Sequence, residues 1–336
     1  MLKKILVIRF SSIGDIVLTS PVVRCLKQQS GSEVHFLTKQ SFGAILSDNP
    51  YIDKVFTIHK KVSEVLPALR MEGYDVIIDL HRNLRSLQIK LALFRVRHYS
   101  FDKLNLEKWL MVKLKINQLP DVHIVDRYLK TAEPLGIKND GKGLDYFIPP
   151  EDELDVNNWI ASSGTDVKVL TAPANQSSTA YTAFVIGAAH ATKRLPRERI
   201  IAWCQQISGP VILLGGPDDR ENGEFIAAQC GPHVLNACGK LRLHQSASVV
   251  RQARLVITHD TGLMHVAAAF KKPIWSVWGN TIPSFGMYPY YPEGMGPDRR
   301  FEVQGLSCRP CSKIGYAECP KGHFRCMREI VSESPG

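Results

Sequence analysis

Three short stretches carry side chains suited to holding a phosphate-bearing group. In RLVITHDTGLMHVAAAF an apolar run ends in Asp260, Thr261 and Gly262, and a helical pattern begins at about Leu263. A helix N-terminus exposes unpaired N–H groups and partial positive charge, a seat for a diphosphate. Gly262 allows close approach, Thr261 adds a hydroxyl donor, and Asp260 can accept from sugar hydroxyls. Taken alone, such a turn is as readily a plain helix cap, with His265 packed in the helix behind it. In VIGAAHATKRLPRE a loop holds His190, Thr192 and Lys193 before Pro196. A lysine there can stabilise a departing diphosphate, although most loop lysines are merely solvated. In LLGGPDDRE, Gly215 and Gly216 end a strand and Asp219 stands where an acidic residue can hold ribose hydroxyls. Asp218 and Asp219 can equally cap the next helix. Three such signals at successive strand ends strengthen one another.

A fourth stretch has the opposite charge. In RFSSIGDIVLTSP, residues 9–21, the apolar run KILVI leads to Ser11, Ser12, Gly14 and then Asp15. A dinucleotide-binding turn would carry G-x-G-x-x-G here. A carboxylate repels phosphate, so Asp15 is expected either to accept a proton or to cap the helix.

The elements that position these residues alternate along the chain. KILVIRF, EVHFLT, KVFTIH and DVIIDL read as strands buried on both faces, as a parallel sheet requires, with PVVRCLKQQSG and SEVLPALRMEG as helices between them. The polar connector IPPEDELDVNNWIASSGTDVKVLTAPANQSSTA follows. The alternation then restarts: AFVIGAA, PVILLGG, VLNACG, RLVITHD and PIWSVWG as strands, and ERIIAWCQQISG, ENGEFIAAQCG, SASVVRQA and MHVAAAF as helices. The expected architecture is α/β: two Rossmann-like domains, residues 1–152 and 153–336, facing each other across a cleft. The connector opens the second domain and a cysteine-rich segment closes it.

The bulk numbers agree with a two-domain chain. It has 336 residues, 44% of them hydrophobic and 22% charged. A net charge of +10 points to an acidic partner. From His81 to Lys115 there are nine Lys or Arg against Asp102 and Glu107, interleaved with Leu, Phe and Trp. This suits a surface lying against anionic lipid or an acidic acceptor, or else an amphipathic helix with a solvated basic face. No nucleic-acid recognition motif accompanies it. No signal peptide and no apolar run of spanning length stand out, so a cytoplasmic protein is expected. Cys25, Cys204, Cys230 and Cys238 are scattered and read as reduced thiols. Cys308, Cys311, Cys319 and Cys326 crowd the C-terminus at spacings that can hold structural zinc, although reduced, packed thiols are the first expectation.

RFSSIGDIVLTSPVVRCLK, GAAHATKRLP, LLGGPDD, GKLRLHQSASVVRQARLVITHDTGLMHVAAAF and WGNTIPSFGMYPY together resemble glycosyltransferase family 9, the ADP-heptose:lipopolysaccharide heptosyltransferases. The resemblance runs from the first strand to the C-terminal helix. It implies a GT-B fold and inverting, metal-independent transfer of heptose from ADP-heptose to the inner core of lipopolysaccharide, with no cofactor. By motif position it implies Asp15 as general base, Lys193 and Thr192 at the phosphates, and Asp219 at the ribose. Asp260, Thr261 and Gly262 fall at the diphosphate and donor sugar, with His265 close behind. On the acceptor side, Ser11, Ser12 and Gly14 would shape the turn, and Arg82 and Arg85 would meet an anionic core at the cytoplasmic face of the inner membrane. Leu195 departs from the family, where many members carry tryptophan. The competing expectations are a GT-B transferase or epimerase using another nucleotide sugar, and a non-catalytic protein that holds a lipopolysaccharide precursor.

Overall fold

A computed structural model describes residues 2–162, 181–296 and 298–332. Much of the expected connector, residues 163–180, lies outside the described residues. The chain forms two compact units. The first comprises Met1–Asn105, Pro120–Phe147 and Tyr290–Met295; the second comprises Leu106–Leu119, Ile148–Pro289 and Gly296–Gly336.

The first unit is built on β1 (Lys4–Ile8), β2 (Glu33–Lys39), β3 (Lys54–Ile58), β4 (Val76–Asp79) and β5 (Arg97–Ser100). All pairs are parallel, in the order β3-β2-β1-β4-β5. Its helices are α1 (Ile13–Val17), α2 (Ser20–Ser30), α3 (Leu66–Met71), α4 (Leu84–Ala92) and α6 (Ile124–Leu129), with α5 (Asn105–Lys113) beginning where the chain leaves the unit. β1 and β4 are interior strands, apolar except for Lys4 at the start of β1 and Asp79 at the end of β4, and Leu6, Ile8 and Ile77 pack with Leu37, Leu69 and Ile89 in one core. α2 starts with Pro21 in its first turn and stops at Gly31, whose φ of 65° is a left-handed conformation that glycine adopts without steric cost. β5 was not foreseen. Its residues, Arg-His-Tyr-Ser, are half exposed, as suits the edge of a sheet, and carry no apolar alternation.

The second unit holds α7 (Val156–Ser162), β6 (Thr182–Val185), α8 (Arg197–Gln206), β7 (Val211–Leu214), α9 (Arg220–Cys230) and β8 (Val234–Asn236). It continues with α10 (Leu243–Gln252), β9 (Leu255–His259), α11 (Gly262–Ala269), β10 (Ile274–Trp278), β11 (Asp298–Glu302) and α12 (Arg325–Arg328). The sheet is again parallel, in the order β11-β10-β9-β6-β7-β8. Phe184, Leu213, Ile257 and Val277 meet Trp203, Phe301 and Met327 in its core. β11 is the second unforeseen strand: Asp-Arg-Arg-Phe-Glu buries only Phe301.

Strand order decides where ligands can be held. In an open parallel sheet the binding crevice lies beyond the C-terminal ends of the strands at which the winding direction reverses. That point is β1/β4 in the first unit and β6/β9 in the second. Among the described residues, no helix is long and apolar enough to cross a membrane.

Candidate active site

The second unit brings two of the three phosphate-type motifs to its reversal point. Lys193 follows β6 and Asp260 follows β9. The Lys193 ammonium pairs with Asp260 Oδ2 at 2.7 Å and lies 3.4 Å from the Asp260 carbonyl oxygen. Thr281, from the loop after β10, donates its hydroxyl to the same Asp260 Oδ2 at 2.9 Å. Thr261 is the N-cap of α11, and Gly262 is its first residue. The helix therefore opens where Lys193 and Asp260 converge. His265 is buried one turn further on.

Two of the expected donor-side residues have partners within the chain. Thr192 is buried, and its hydroxyl is held by the C-terminal segment: Tyr316 N–H donates to it at 2.8 Å, and it lies 3.2 Å from the Tyr316 carbonyl oxygen. Asp219 is turned inward. Its Oδ2 accepts from the Gly216 N–H at 2.9 Å and its Oδ1 pairs with Arg194 at 3.1 Å. Gly187 and Gly215 lie against it so closely that a Cβ on Gly187 would stand 2.2 Å from Asp219 Oδ2. In this arrangement Asp219 braces the ends of β6 and β7.

The loop after β10 is buttressed from the C-terminus. Arg309 donates to the carbonyl oxygens of Gly279, Thr281 and Val303 and pairs with Glu302 at 2.6 Å. Gly279 leaves no room for a side chain, since a Cβ there would lie 2.9 Å from the Thr192 carbonyl oxygen. Neighbouring Asn280 is fully buried, and neither amide atom has a hydrogen-bond partner. A buried, unpaired amide costs on the order of 1–3 kcal/mol, so Asn280 is retained against a stability cost. Behind β9, burial and the nearby Arg194 push His259 down to about 3, and its neutral Nε2 accepts from Leu195 N–H at 2.9 Å.

The reversal point of the first unit holds Asp15. It is the third residue of α1, and Ser12 is the N-cap. Asp15 Oδ2 accepts from the Ser12 N–H at 3.1 Å and the Ser12 hydroxyl at 2.8 Å. Asp15 Oδ1 pairs with Arg9 at 2.6 Å, and the side chain remains 19% exposed. Gly14 is buried in the first turn, and Ser11 offers its carbonyl oxygen to Arg9 Nε at 2.8 Å. Arg9 also donates to Leu80 O at 2.6 Å and to the Tyr128 hydroxyl at 2.9 Å. Burial works against the Arg9 charge, but Asp15 and Tyr128 outweigh it and hold the guanidinium above its ordinary value.

The neighbouring strand contributes residues that sequence reasoning missed. Asp79, wholly buried at the end of β4, accepts from the backbone N–H groups of His81 at 3.0 Å and Arg82 at 2.7 Å. It also pairs with Lys90 at 2.9 Å. Burial disfavours its charge, yet the Arg82 N–H and Lys90 keep its pKa lowered. Lys90 therefore serves this turn from behind. Arg82 is exposed and pairs with Asp102 at 3.2 Å, and Arg85 reaches the Lys60 carbonyl oxygen at 3.4 Å. His81 packs edge-on against Phe10; burial, with Arg9 and Lys103, pushes it down to about 4, so it is neutral at pH 7. Asp79 closes an apolar run and His81 stands alone after it, and neither gave a sequence signal.

All eight cysteines are free. Cys308 Sγ lies 3.8 Å from His323 Nε2, and burial with the neighbouring thiols of Cys308 and Cys319 pushes Cys311 up. Among the described residues, Glu33, His35 and Glu72 bring ligand atoms within 4.8 Å of one another, while the four C-terminal cysteines do not gather so closely. Glu72 is already paired with Lys4 at 2.6 Å and Lys54 at 2.7 Å, the arrangement of an ion-pair network.

Two parallel α/β units of this kind are the GT-B fold. The profile of Glycosyltransferase family 9 (heptosyltransferase) matches residues 62–304. The chain belongs to that family. It is 24% identical over 305 residues to lipopolysaccharide heptosyltransferase 1 of Campylobacter coli, covering 84% of this chain and 85% of the relative. A family 9 glycosyltransferase from Veillonella parvula superposes with a TM-score of 0.71 at 23% identity, over 89% of this chain and 85% of that one. The E. coli ADP-heptose lipopolysaccharide heptosyltransferase II does so with a TM-score of 0.66 at 19% identity, over 91% and 95%.

Proposed function

We propose that this enzyme transfers heptose from ADP-heptose to the inner core of lipopolysaccharide with inversion at the anomeric carbon. The second unit binds the donor. Lys193 and the N-terminal N–H groups of α11 hold the diphosphate, and Lys193, with three donor hydrogens, can contact it while keeping Asp260. Asp260 and Thr281 face the donor sugar. Thr192 and Asp219 act from behind, by fixing the loops that carry Lys193 and Gly216. The first unit binds the acceptor. Its hydroxyl oxygen attacks the anomeric carbon, the bond from that carbon to the diphosphate oxygen breaks, Asp15 takes the hydroxyl proton, and ADP leaves with the bonding pair.

The observation that supports this reading best is the segregation of charge. The cationic Lys193 follows β6, at the reversal point of one sheet, and the carboxylate of Asp15 follows β1, at that of the other. A leaving-group site needs the first and a proton acceptor needs the second. Arg82 and Arg85 suit an acceptor bearing carboxylates and phosphates. The enzyme works at the cytoplasmic face of the inner membrane, as a peripheral protein, because its acceptor is anchored there.

The test is a donor screen with purified enzyme, ADP- and UDP-sugars and an extracted core acceptor, read by mass spectrometry. A mass increment of one heptose with ADP-heptose alone is expected. Transfer of a different sugar, or of none, would overturn the assignment.

A further inference from the structure

Helix α4 carries apolar side chains on two opposite faces. Ser86 and Ile89 are buried, and Leu93, just past its end, joins Ile89 in the core of the first unit. On the other side Leu84 is 79% exposed, Leu87 45%, Leu91 65% and Phe94, just beyond the helix, 74%. At about 100° per residue, positions 84, 87, 91 and 94 fall within an arc of roughly 80°, opposite the buried positions. A helix that serves only its own core needs one apolar stripe, and the second stripe stays exposed among the described residues.

Charge around the stripe selects the occupant. From Leu80 to Phe101 there are five Lys or Arg and no Asp or Glu; Lys90 is paired with Asp79 and Arg82 with Asp102, which leaves Arg85, Arg95 and Arg97 to set the charge of this face. Arg85 lies against Lys60, and Lys60 and Lys61 are exposed beside it, while Arg95 stacks beside Phe94 with its guanidinium 5.5 Å from the ring centroid. A second copy of the chain docking face to face would bring these cations against one another. An anionic bilayer accepts both features: Leu and Phe enter the acyl boundary while Arg and Lys meet the headgroup phosphates.

We propose that the outer face of α4, led by Leu84, Leu87, Leu91 and Phe94 and rimmed by Arg85, Arg95 and Arg97, seats this enzyme on an anionic phospholipid surface. The proposal rests on the membrane-anchored acceptor proposed above, and it adds the surface and the chemistry of the contact. It also explains a costly feature of the sequence. Four large apolar side chains are kept in water on a helix whose fold requires none of them.

Flotation with phosphatidylglycerol/phosphatidylcholine vesicles tests it, with pure phosphatidylcholine vesicles as control. The wild type should float with the anionic vesicles and fall away as salt is raised. The L84Q/L87Q/L91Q/F94Q variant should lose at least about 10² in partition coefficient. R95Q/R97Q should lose less and show a shallower salt dependence. Both should melt like the wild type, since the changed positions are exposed. Equal flotation of the four-residue variant, or no preference for anionic vesicles, would overturn the proposal. So would concentration-dependent dimerisation in solution that the variant abolishes while vesicles are ignored. Transfer to a deacylated, water-soluble core acceptor, assayed alongside, separates the two readings. It should be unchanged in the four-residue variant, and its absence from every form would sink the proposed reaction and leave the vesicle result to be judged alone.

Discussion

Replacing Asp15 with Asn tests whether its carboxylate is a base or only a structural anchor, and the structure shows that the substitution does two things at once. It removes the proposed proton acceptor, and it breaks the 2.6 Å pair with the buried Arg9. Loss of a general base should lower kcat by about 10² to 10⁴. At about 1.36 kcal/mol per tenfold this raises the barrier by roughly 2.7–5.4 kcal/mol. The structural cost is smaller. Arg9 keeps Ser11 O, Leu80 O and the Tyr128 hydroxyl, and the Asn oxygen can still accept from Ser12. The lost charge-assisted bond is worth about 1.5–3 kcal/mol. A domain stable by about 5–15 kcal/mol remains folded at 25 °C after that loss. Reduced turnover at that temperature is therefore a chemical effect. Arg9→Gln is the control, since it breaks the same pair and keeps the carboxylate. Arg9→Gln should melt further below wild type than Asp15→Asn, since it also gives up the guanidinium bonds to Ser11 O, Leu80 O and the Tyr128 hydroxyl, and both should keep ADP affinity. Asp15→Asn alone should lose about 10² or more in kcat, and Arg9→Gln about tenfold or less. Steady-state ADP release and a thermal melt on each variant read both quantities. Equal kcat losses would make Asp15 an anchor for Arg9. Turnover of Asp15→Asn within a few-fold of wild type would place the base elsewhere.

Lys193→Ala should lower kcat/KM by about 10² or more if, as proposed, its ammonium stabilises the departing diphosphate. Near-normal turnover in a kinetic assay would reduce it to a partner for Asp260. Transfer should persist in EDTA, since Lys193 and the α11 N-terminus supply the positive charge a divalent ion would otherwise bring; activity lost in EDTA and restored by magnesium would refute this. Stability should also fall with pH in a particular window. His81 and His259 are held at about 4 and about 3, below the ordinary 6.5, so the unfolded chain binds protons that the folded histidines refuse. Their contribution is complete above pH 6.5 and declines as pH drops towards 4, whereas Glu64 and Glu72, lowered to about 2, act only below about 4.5. Melting temperatures that stay flat between pH 6.5 and 5 would contradict the burial assigned to the two imidazoles.

Much of this protein was legible in the residues themselves. Runs such as ILVI and VII are apolar at consecutive positions, and only a strand covered on both faces tolerates that, so the central parallel strands were readable. The turns that carry Asp15, Lys193 and Asp260 were readable for a similar reason: each lies in the loop or first helical turn that follows a buried strand. Alternation and turn chemistry are properties of near neighbours, and a sequence displays them directly. Strand order is not such a property. That β1 lies beside β4 and β6 beside β9 depends on pairings across about 70 residues each, and those pairings alone place Asp79 and His81 beside Asp15, and Lys193 against Asp260. The edge strands β5 and β11 escaped notice because an edge needs only one covered face and keeps its charges. Partners were the other hidden quantity. That Thr192 is held by Tyr316, 124 residues away, could not be read from its own motif. Nor could the contacts of Asp219 with Gly187 and Arg194, and Lys90 reads as surface charge until Asp79 claims it. A polar side chain's role depends on which group satisfies it, and only the tertiary structure brings those groups together.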